Sequence, residues 1–508
     1  MEHLQRRCGV LLHPTSLPSA YGIGSFGDEA FAFVDLLKSA KVTLWQILPL
    51  GPTGYGDSPY AARSTFAGNE LLIDLKVLAY DGYLDLEDIL NTVEFPLDRI
   101  DYGKVREFKE PLLVKAADAF LADTELAIVK QYALFCKENS WWLDDYALYQ
   151  VLCKVYNDSR WHTIWPEPLR LRDEEALAEA RVKYAVDIER YKALQYLFFE
   201  QYAKLKAYAN KNRVSIIGDI PIFVAPDSVD AWANRHLFKM DAQGRQTASS
   251  GVPPDAFSDE GQHWGNPVYN WKEHEKDGFS WWIKRIEKTL EVCDIIRVDH
   301  FRGFAAYWEI PKGEKTAING KWVPSPGKKL FSALKEALGD AIPLIAEDLG
   351  VITPDVEELR DSNNLPGMKI LQFAFGLRGD VLDATNAYLP HNCQYNSVIY
   401  TGTHDNNTTR GWYDALDPGT KDKVRRYLEA PDDQIVWQMI RIMLLSASKD
   451  AILPMQDLLG LGAEARMNVP STVGMSNWSW RMKNLNEIEE WRIDRLRGMI
   501  EIYGREGL

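Results

Sequence analysis

Eight short runs of apolar, largely β-branched residues recur along the chain, each followed by Gly, Pro or Asp and often by a helical pattern. They occupy residues 9–12 (GVLL), 44–48 (LWQIL), 215–220 (SIIGDI), 294–299 (DIIRVD), 343–347 (PLIAE), 369–375 (KILQFAF), 397–402 (SVIYTG) and 451–456 (AILPMQ). A strand that is apolar along its whole length has both faces buried, which is the condition of a parallel sheet covered by helices. Eight such units predict an α/β fold, a (β/α)₈ TIM barrel. An open doubly wound sheet is the rival, but no GxGxxG follows any run. After the first run, Asp28 is placed to cap a helix whose Ala30, Phe33, Val34 and Leu37 share one face.

The runs are unevenly spaced. About 165 residues separate the second from the third, and Tyr191, Leu194, Phe198, Tyr202 and Leu205 recur there at helical intervals. Residues 1–60 are therefore expected to hold the first barrel strands, 61–210 a mainly helical inserted subdomain, and 211–508 the rest of the barrel. Within the last part, residues 225–275 are rich in Gly, Pro, Asp and Trp and lack periodicity. A long irregular segment in a compact fold is usually functional, so a lid-type insertion is expected there.

Composition narrows the partners. The 508 residues carry 58 Lys plus Arg against 73 Asp plus Glu, a net charge of −15. Nucleic acid and anionic lipid both call for a basic footprint, so neither is expected. The five cysteines, at 8, 136, 153, 293 and 393, show no CxxC or Cys/His spacing. Neither a disulfide framework nor a zinc site is indicated, and a reducing, cytoplasmic location is expected. No secretory signal or membrane span is legible. No P-loop, dinucleotide fingerprint or EF-hand loop occurs either, so no cofactor motif is present. The oligomeric state is not legible.

Catalytic groups of barrels sit at the C-terminal ends of strands. There the sequence places Asp219, then Arg297 with Asp299-His300, Glu347-Asp348, His404-Asp405 and Gln456-Asp457. Carboxylates converging from several strands, without a His-rich set, fit two chemistries. One is divalent-metal catalysis on oxygen ligands. The other is glycoside cleavage, in which one carboxylate attacks while another donates a proton. The 17 Trp of a 12% aromatic chain supply apolar faces on which sugar rings can stack, which favours the second.

Long segments then resemble the 4-α-glucanotransferases called amylomaltase or disproportionating enzyme, glycoside hydrolase family 77. They include HPTSLPSAYGIGSFG (13–27), LPLGPTGYGDSPY (48–60), GDIPIFV (218–224), GVPPDAFSDEGQHWGNP (251–267), IIRVDHFRGF (295–304), AEDLGVITP (346–354), LPGMKILQFAF (365–375), YTGTHDNNTTRGW (400–412) and QDLLGLGAEARMNVPS (456–471). The resemblance covers essentially the whole chain. It implies that Asp299 is the nucleophile, Glu347 the general acid/base and Asp405 the transition-state stabiliser, with Arg297 positioning Asp299 and His404 contacting sugar. It further implies that Asp219 and Tyr60 wall the donor subsite and that Trp264 and Asn266 belong to a lid over bound glucan. Phe373 would lie beside the cleft, and Asn468 on a second loop at its edge. Glu260 and His263 in the lid, and Ser476 near the end, depart from the family pattern.

The resemblance implies a retaining 4-α-glucanotransferase acting on maltooligosaccharides and starch-type glucans, with glucose as by-product and no metal or cofactor. A hydrolase of α-glucosidase or α-amylase type shares the first half-reaction and stands as the alternative. A non-catalytic glucan-binding protein is the second alternative, and it sits poorly with an intact set of Asp299, Glu347 and Asp405.

Overall fold

All eight apolar runs contribute strands to one closed parallel barrel, although the sixth, 369–375, gives only Lys369 and Ile370 to its strand and turns into a 3₁₀ helix at Leu371–Phe373. The strands are β1 (Arg7–Leu11), β2 (Leu44–Gln46), β3 (Ser215–Pro221), β4 (Ile295–Asp299), β5 (Leu344–Ala346), β6 (Gly367–Ile370), β7 (Ser397–Tyr400) and β8 (Asp450–Pro454). Each pairs with its neighbours in chain order. The seam closes between β8 and β1, with Arg7 opposite Asp450 and Leu11 opposite Pro454. The computed structural model describes residues 5–90, 93–254, 258–378, 381–474 and 476–507. Residues 255–257 of the expected lid and Met475 of the GMSNWSW segment lie outside the described residues.

Every residue of β2, β5, β7 and β8 is buried, as expected of strands covered on both faces. Inside the barrel, the Tyr400 hydroxyl donates to Gln46 Oε1 at 2.9 Å. The first helix, Asp28–Ser39, buries Ala30, Phe33, Val34 and Leu37 as its spacing predicts, but it begins at Asp28 and Gly27 occupies the cap position. Asp28 therefore sits in the first turn, where a negative charge favours the N-terminal end of the helix dipole.

Between β2 and β3 the chain is mainly helical. Helices Tyr102–Leu121, Leu126–Tyr156 and Ala185–Lys211 pack against one another, and Leu194, Phe198, Tyr202 and Leu205 of the last are buried. The insertion after β3 differs from the expectation of an irregular loop. Ala248–Val252 and Gln262–Pro267 pair as antiparallel strands and continue into Ala306–Pro311 and Lys321–Pro324, making a four-stranded sheet. The outer strand Gln262–Pro267 is half exposed, so its sequence carries little apolar signal. A second difference lies between β6 and β7. Among the described residues this connection holds 3₁₀ turns and a two-stranded hairpin but no α-helix. Its sequence, DATNAYLPHNCQYN, is rich in turn formers.

The seam is locked by Arg505, which is fully buried. Its guanidinium donates to Leu444 O at 2.6 Å and Ser446 O at 2.9 Å, at the end of helix Ile435–Leu445, and to Ser448 O at 3.0 Å just before β8. Carbonyls at a helix C-terminus have no partner within the helix, and Arg505 supplies one. Arg505→Ala is expected to lower stability by about 3 kcal/mol, because several buried acceptors lose their donor together. The guanidinium-denaturation midpoint measures this, and an unchanged midpoint would contradict it.

Candidate active site

Strand register assembles the site. β3 and β4 pair with Asp219 opposite Arg297 and Pro221 opposite Asp299. β4 and β5 pair with Val298 opposite Ala346, and Glu347 N donates to Val298 O at 3.1 Å. Glu347 is thereby brought beside Asp299 at adjoining strand ends. Residues two apart on a strand share a face, so Arg297 and Asp299 act together.

Arg297 is the hinge of the cluster, with a side chain only 3% exposed. Its Nη1 donates to Asp219 Oδ2 at 2.5 Å and its Nη2 to Asp299 Oδ1 at 2.8 Å. Nε faces Met368 Sδ at 3.4 Å. Burial opposes the charge on Arg297, but the two carboxylates outweigh it and hold the guanidinium well above its ordinary value. The Tyr60 hydroxyl donates to the same Asp219 Oδ2 at 2.8 Å. Burial pushes the Asp219 carboxyl up to about 7 against the pull of Arg297 and Tyr60.

Glu347 accepts two backbone donors, His300 N at 2.7 Å and Leu349 N at 3.0 Å. Both favour its charged form, as does Arg297. Burial and the adjacent Asp299 charge prevail and push its carboxyl up to about 8. His300 adopts a left-handed conformation (φ 55°, ψ 48°), rare for a residue with a side chain. Strain of this kind tends to occur where a site requires one particular backbone direction. Here the turn carries the His300 N–H onto Glu347 directly after Asp299.

Asp405 and His404 lie on the loop after β7. Asn468 Nδ2 donates to Asp405 Oδ1 at 2.6 Å, and Asn468 N to His404 O at 3.1 Å. Arg466 Nη2 donates to Asp405 O at 2.6 Å. His404 is buried, and burial lowers its pKa, so the imidazole is neutral at pH 7. Its ring stacks on Tyr60 with centroids 5.1 Å apart and a 16° interplanar angle. Tyr60 therefore joins the two halves of the site, bonding Asp219 through its hydroxyl and covering His404 with its ring. Trp478 leans on both rings, 5.6 Å from Tyr60 and 5.8 Å from His404.

The remaining candidates surround this network. Trp264 of the lid sheet is 38% exposed and meets the His300 ring edge-on at 4.7 Å. Asn266 Nδ2 donates to Val224 O at 2.9 Å and ties the strand Gln262–Pro267 to the segment after β3. Phe373 is 41% exposed and packs edge-on against Tyr388 at 5.8 Å. The Tyr388 hydroxyl is raised to about 12 by burial, with Asp348 and Glu347 adding to it. In the lid, His263 Nε2 lies 2.7 Å from Ser249 Oγ.

Arg466 and Trp478 belong to the site but do not stand out in the sequence, whereas His300 is placed at the strand end with Asp299 and acts there through its backbone N–H. Arg466 lies two residues before Asn468, which is its only local signal. Among the described residues, no group of three or more His, Cys, Asp or Glu side chains is arranged to hold a metal ion.

Residues 12–487 match the model of glycoside hydrolase family 77, described as 4-alpha-glucanotransferase. The chain belongs to this family. It is 46% identical over 506 residues to the 4-alpha-glucanotransferase of Synechocystis sp., covering 99% of each chain. To that of Thermus thermophilus it is 47% identical over 506 residues, covering 98% of this chain and 99% of the other. The amylomaltase of Streptococcus agalactiae in complex with acarbose superposes with a TM-score of 0.94 at 40% identity, covering 99% of this chain and all of that one. The fold is thus an amylomaltase barrel, and the protein is a 4-alpha-glucanotransferase acting on glucans.

Removing one partner of a buried ion pair leaves an uncompensated charge and typically costs 3–5 kcal/mol. Arg297→Ala is therefore expected to lower stability by about that much, whereas Tyr60→Phe, which leaves the ion pair standing, costs about 1 kcal/mol. Denaturation midpoints at pH 7 compare the two, and equal losses would contradict this ordering.

Proposed function

We propose that this 4-alpha-glucanotransferase works by double displacement with retention, moving α-1,4-glucan segments between maltooligosaccharides or starch-type glucans and releasing glucose. Asp299 attacks the anomeric carbon while Glu347 passes its proton to the departing glycosidic oxygen. A glycosyl ester on Asp299 results. Glu347, now ionised, takes the proton from the 4-hydroxyl of an acceptor glucan, whose oxygen displaces Asp299 from the same carbon.

The observation that carries this reading is the contrast between the two neighbouring acids. Asp299 accepts from Arg297 Nη2 at 2.8 Å, has a side chain 30% exposed, and keeps its other oxygen outside that bond. Glu347 is half-buried beside it and raised to about 8, so it holds a proton at neutral pH. Asp405, steadied by Asn468, is assigned the hydroxyls of the reacting sugar, with bonds that strengthen as the ring flattens. Tyr60, His404 and Asp219 form the wall of the donor site, while Trp264 lies over it. The acarbose held by the Streptococcus agalactiae amylomaltase supports an α-glucan as the ligand of this cleft. A cytoplasmic location is part of the same proposal, supported by the five free cysteines.

Incubation with maltotriose decides between transfer and hydrolysis. Transfer yields a ladder of longer maltooligosaccharides together with glucose, whereas shortened products alone would identify a hydrolase. The pH dependence follows from Glu347. Its proton is needed in the first half-reaction, so kcat/KM is expected to fall as pH rises through about 8. A profile that stays level to pH 10 would remove Glu347 from the role of acid.

A further inference from the structure

Asp457 is a strand-end acid without a task in the steps above. It follows β8 (Asp450–Pro454), is 2% exposed, and among the described residues is paired with no cation. A buried carboxylate without a positive partner is unfavourable unless hydrogen bonds surround it. Three do. Its Oδ2 accepts from Thr401 Oγ1 at 2.5 Å and from Thr409 Oγ1 at 2.6 Å, and its Oδ1 accepts from Thr409 N at 2.7 Å.

The two threonines mark the ends of one loop. Thr401 is the first residue after β7, and Thr409 opens the helix Thr409–Ala415. Both are fully buried. His404 and Asp405 stand between them. We propose that Asp457 is a positioning residue for the transfer reaction, clipping both ends of the Asp405 loop to the end of β8 so that the Asp405 carboxylate is held in place. This rests on the reading of Asp405 as the group that binds the reacting sugar.

Ordinary helix capping does not account for Asp457. The cap of this helix is Thr408, whose Oγ1 accepts from Gly411 N at 3.0 Å. The middle of the loop has its own ties. Thr403 N and Oγ1 both donate to Asn406 Oδ1 at 2.9 Å, and Gln372 Nε2 donates to Asn407 O at 2.8 Å. A Cβ on Gly402 would lie 2.6 Å from Gln372 Nε2, so the loop sits close against that side chain. Once its ends are fixed, the loop is rigid enough to carry their placement to Asp405. If they are released, the whole loop can shift as a unit.

The test is maltotriose turnover by purified full-length variants. Asp457→Ala is expected to lower kcat about 10–100-fold, the loss that a displacement of about 1 Å produces. KM should change less than about threefold, since the interaction lost belongs to the transition state. Asp457→Asn is expected to recover most of the rate, because its amide oxygen can accept the Thr409 N–H while its two amide N–H groups donate to the threonine hydroxyl oxygens, whose own protons turn away. In an Asp405→Ala background, Asp457→Ala should add no further loss, as for two residues acting through one function. If Asp457→Ala does not fold, the Thr401→Val/Thr409→Val double variant removes two of the three bonds and should show the same kcat loss. Impaired Asp405→Ala together with wild-type kcat in Asp457→Ala would overturn the positioning role. Full additivity of the two losses would overturn it as well. Wild-type kcat in Asp405→Ala would overturn the reading of Asp405, and the proposal with it.

Discussion

The site depends on a single guanidinium placed between two carboxylates inside the barrel mouth. Arg297 binds Asp219 on one side and Asp299 on the other, and almost none of it reaches solvent. A buried cation is tolerable only when its charge is balanced, and a buried carboxylate such as Asp219 only when a cation or several donors hold it. The register of β3 against β4 brings both conditions together by setting Asp219 directly opposite Arg297. Asp299 lies two residues along the same strand, so the second Arg297 bond fixes its orientation. Tyr60 then extends the cluster to His404 and the Asp405 loop. Removing Arg297 would leave two acids to repel each other next to Glu347, which is already held protonated by burial and by one of them.

The barrel was legible because its strands are buried on both faces. Such a strand is apolar at most positions, and the runs could be found by that property even where Gln46, Asp219 or Arg297 interrupts them. Strands stabilised mainly by pairing leave a weaker mark. Gln262–Pro267 is half exposed and carries Gln, His, Gly and Asn, so it reads as loop until Ala248–Val252 and its neighbours supply a partner. The missing α-helix between β6 and β7 has a similar origin, since turn-forming residues there replace an amphipathic pattern. Asp28 satisfied the residue preference for a cap, yet the helix starts one residue earlier in register, with Gly27 at the boundary.

The acids of the site were legible for a reason of position. Each stands where an apolar run stops, and a charged side chain at a strand end in a barrel must face the mouth or be neutralised. Asp299, Glu347 and Asp405 were also picked out by the long family motifs. What the sequence left hidden are groups whose contribution comes from backbone direction or from distant packing. His300 matters through an N–H turned by a left-handed φ. Trp478 is separated from Tyr60 by more than four hundred residues, and nothing near it in sequence points to the stack. Asp457 stood out as a strand-end acid, but its three threonine bonds appear only when β7 and β8 lie side by side.

Transfer and hydrolysis share their first step, so the carboxylates alone do not separate them. Under the proposed double displacement, the difference lies in what reaches the glycosyl ester while Glu347 is ionised. Water is small and abundant, and an acceptor sugar prevails only if it is held at the anomeric carbon long enough and water is kept from that position. The surroundings of the acids fit that demand. The neutral imidazole of His404, the ring of Tyr60 and the indole of Trp478 give the site an aromatic wall that offers water few partners, and Trp264 covers the His300 side. Asn266 anchors the strand Gln262–Pro267 to the segment after β3 through the Val224 carbonyl. The arrangement follows from the fold: the barrel strands fix the charged cluster by their register, and the sheet inserted after β3 sets Trp264 against His300 beside it.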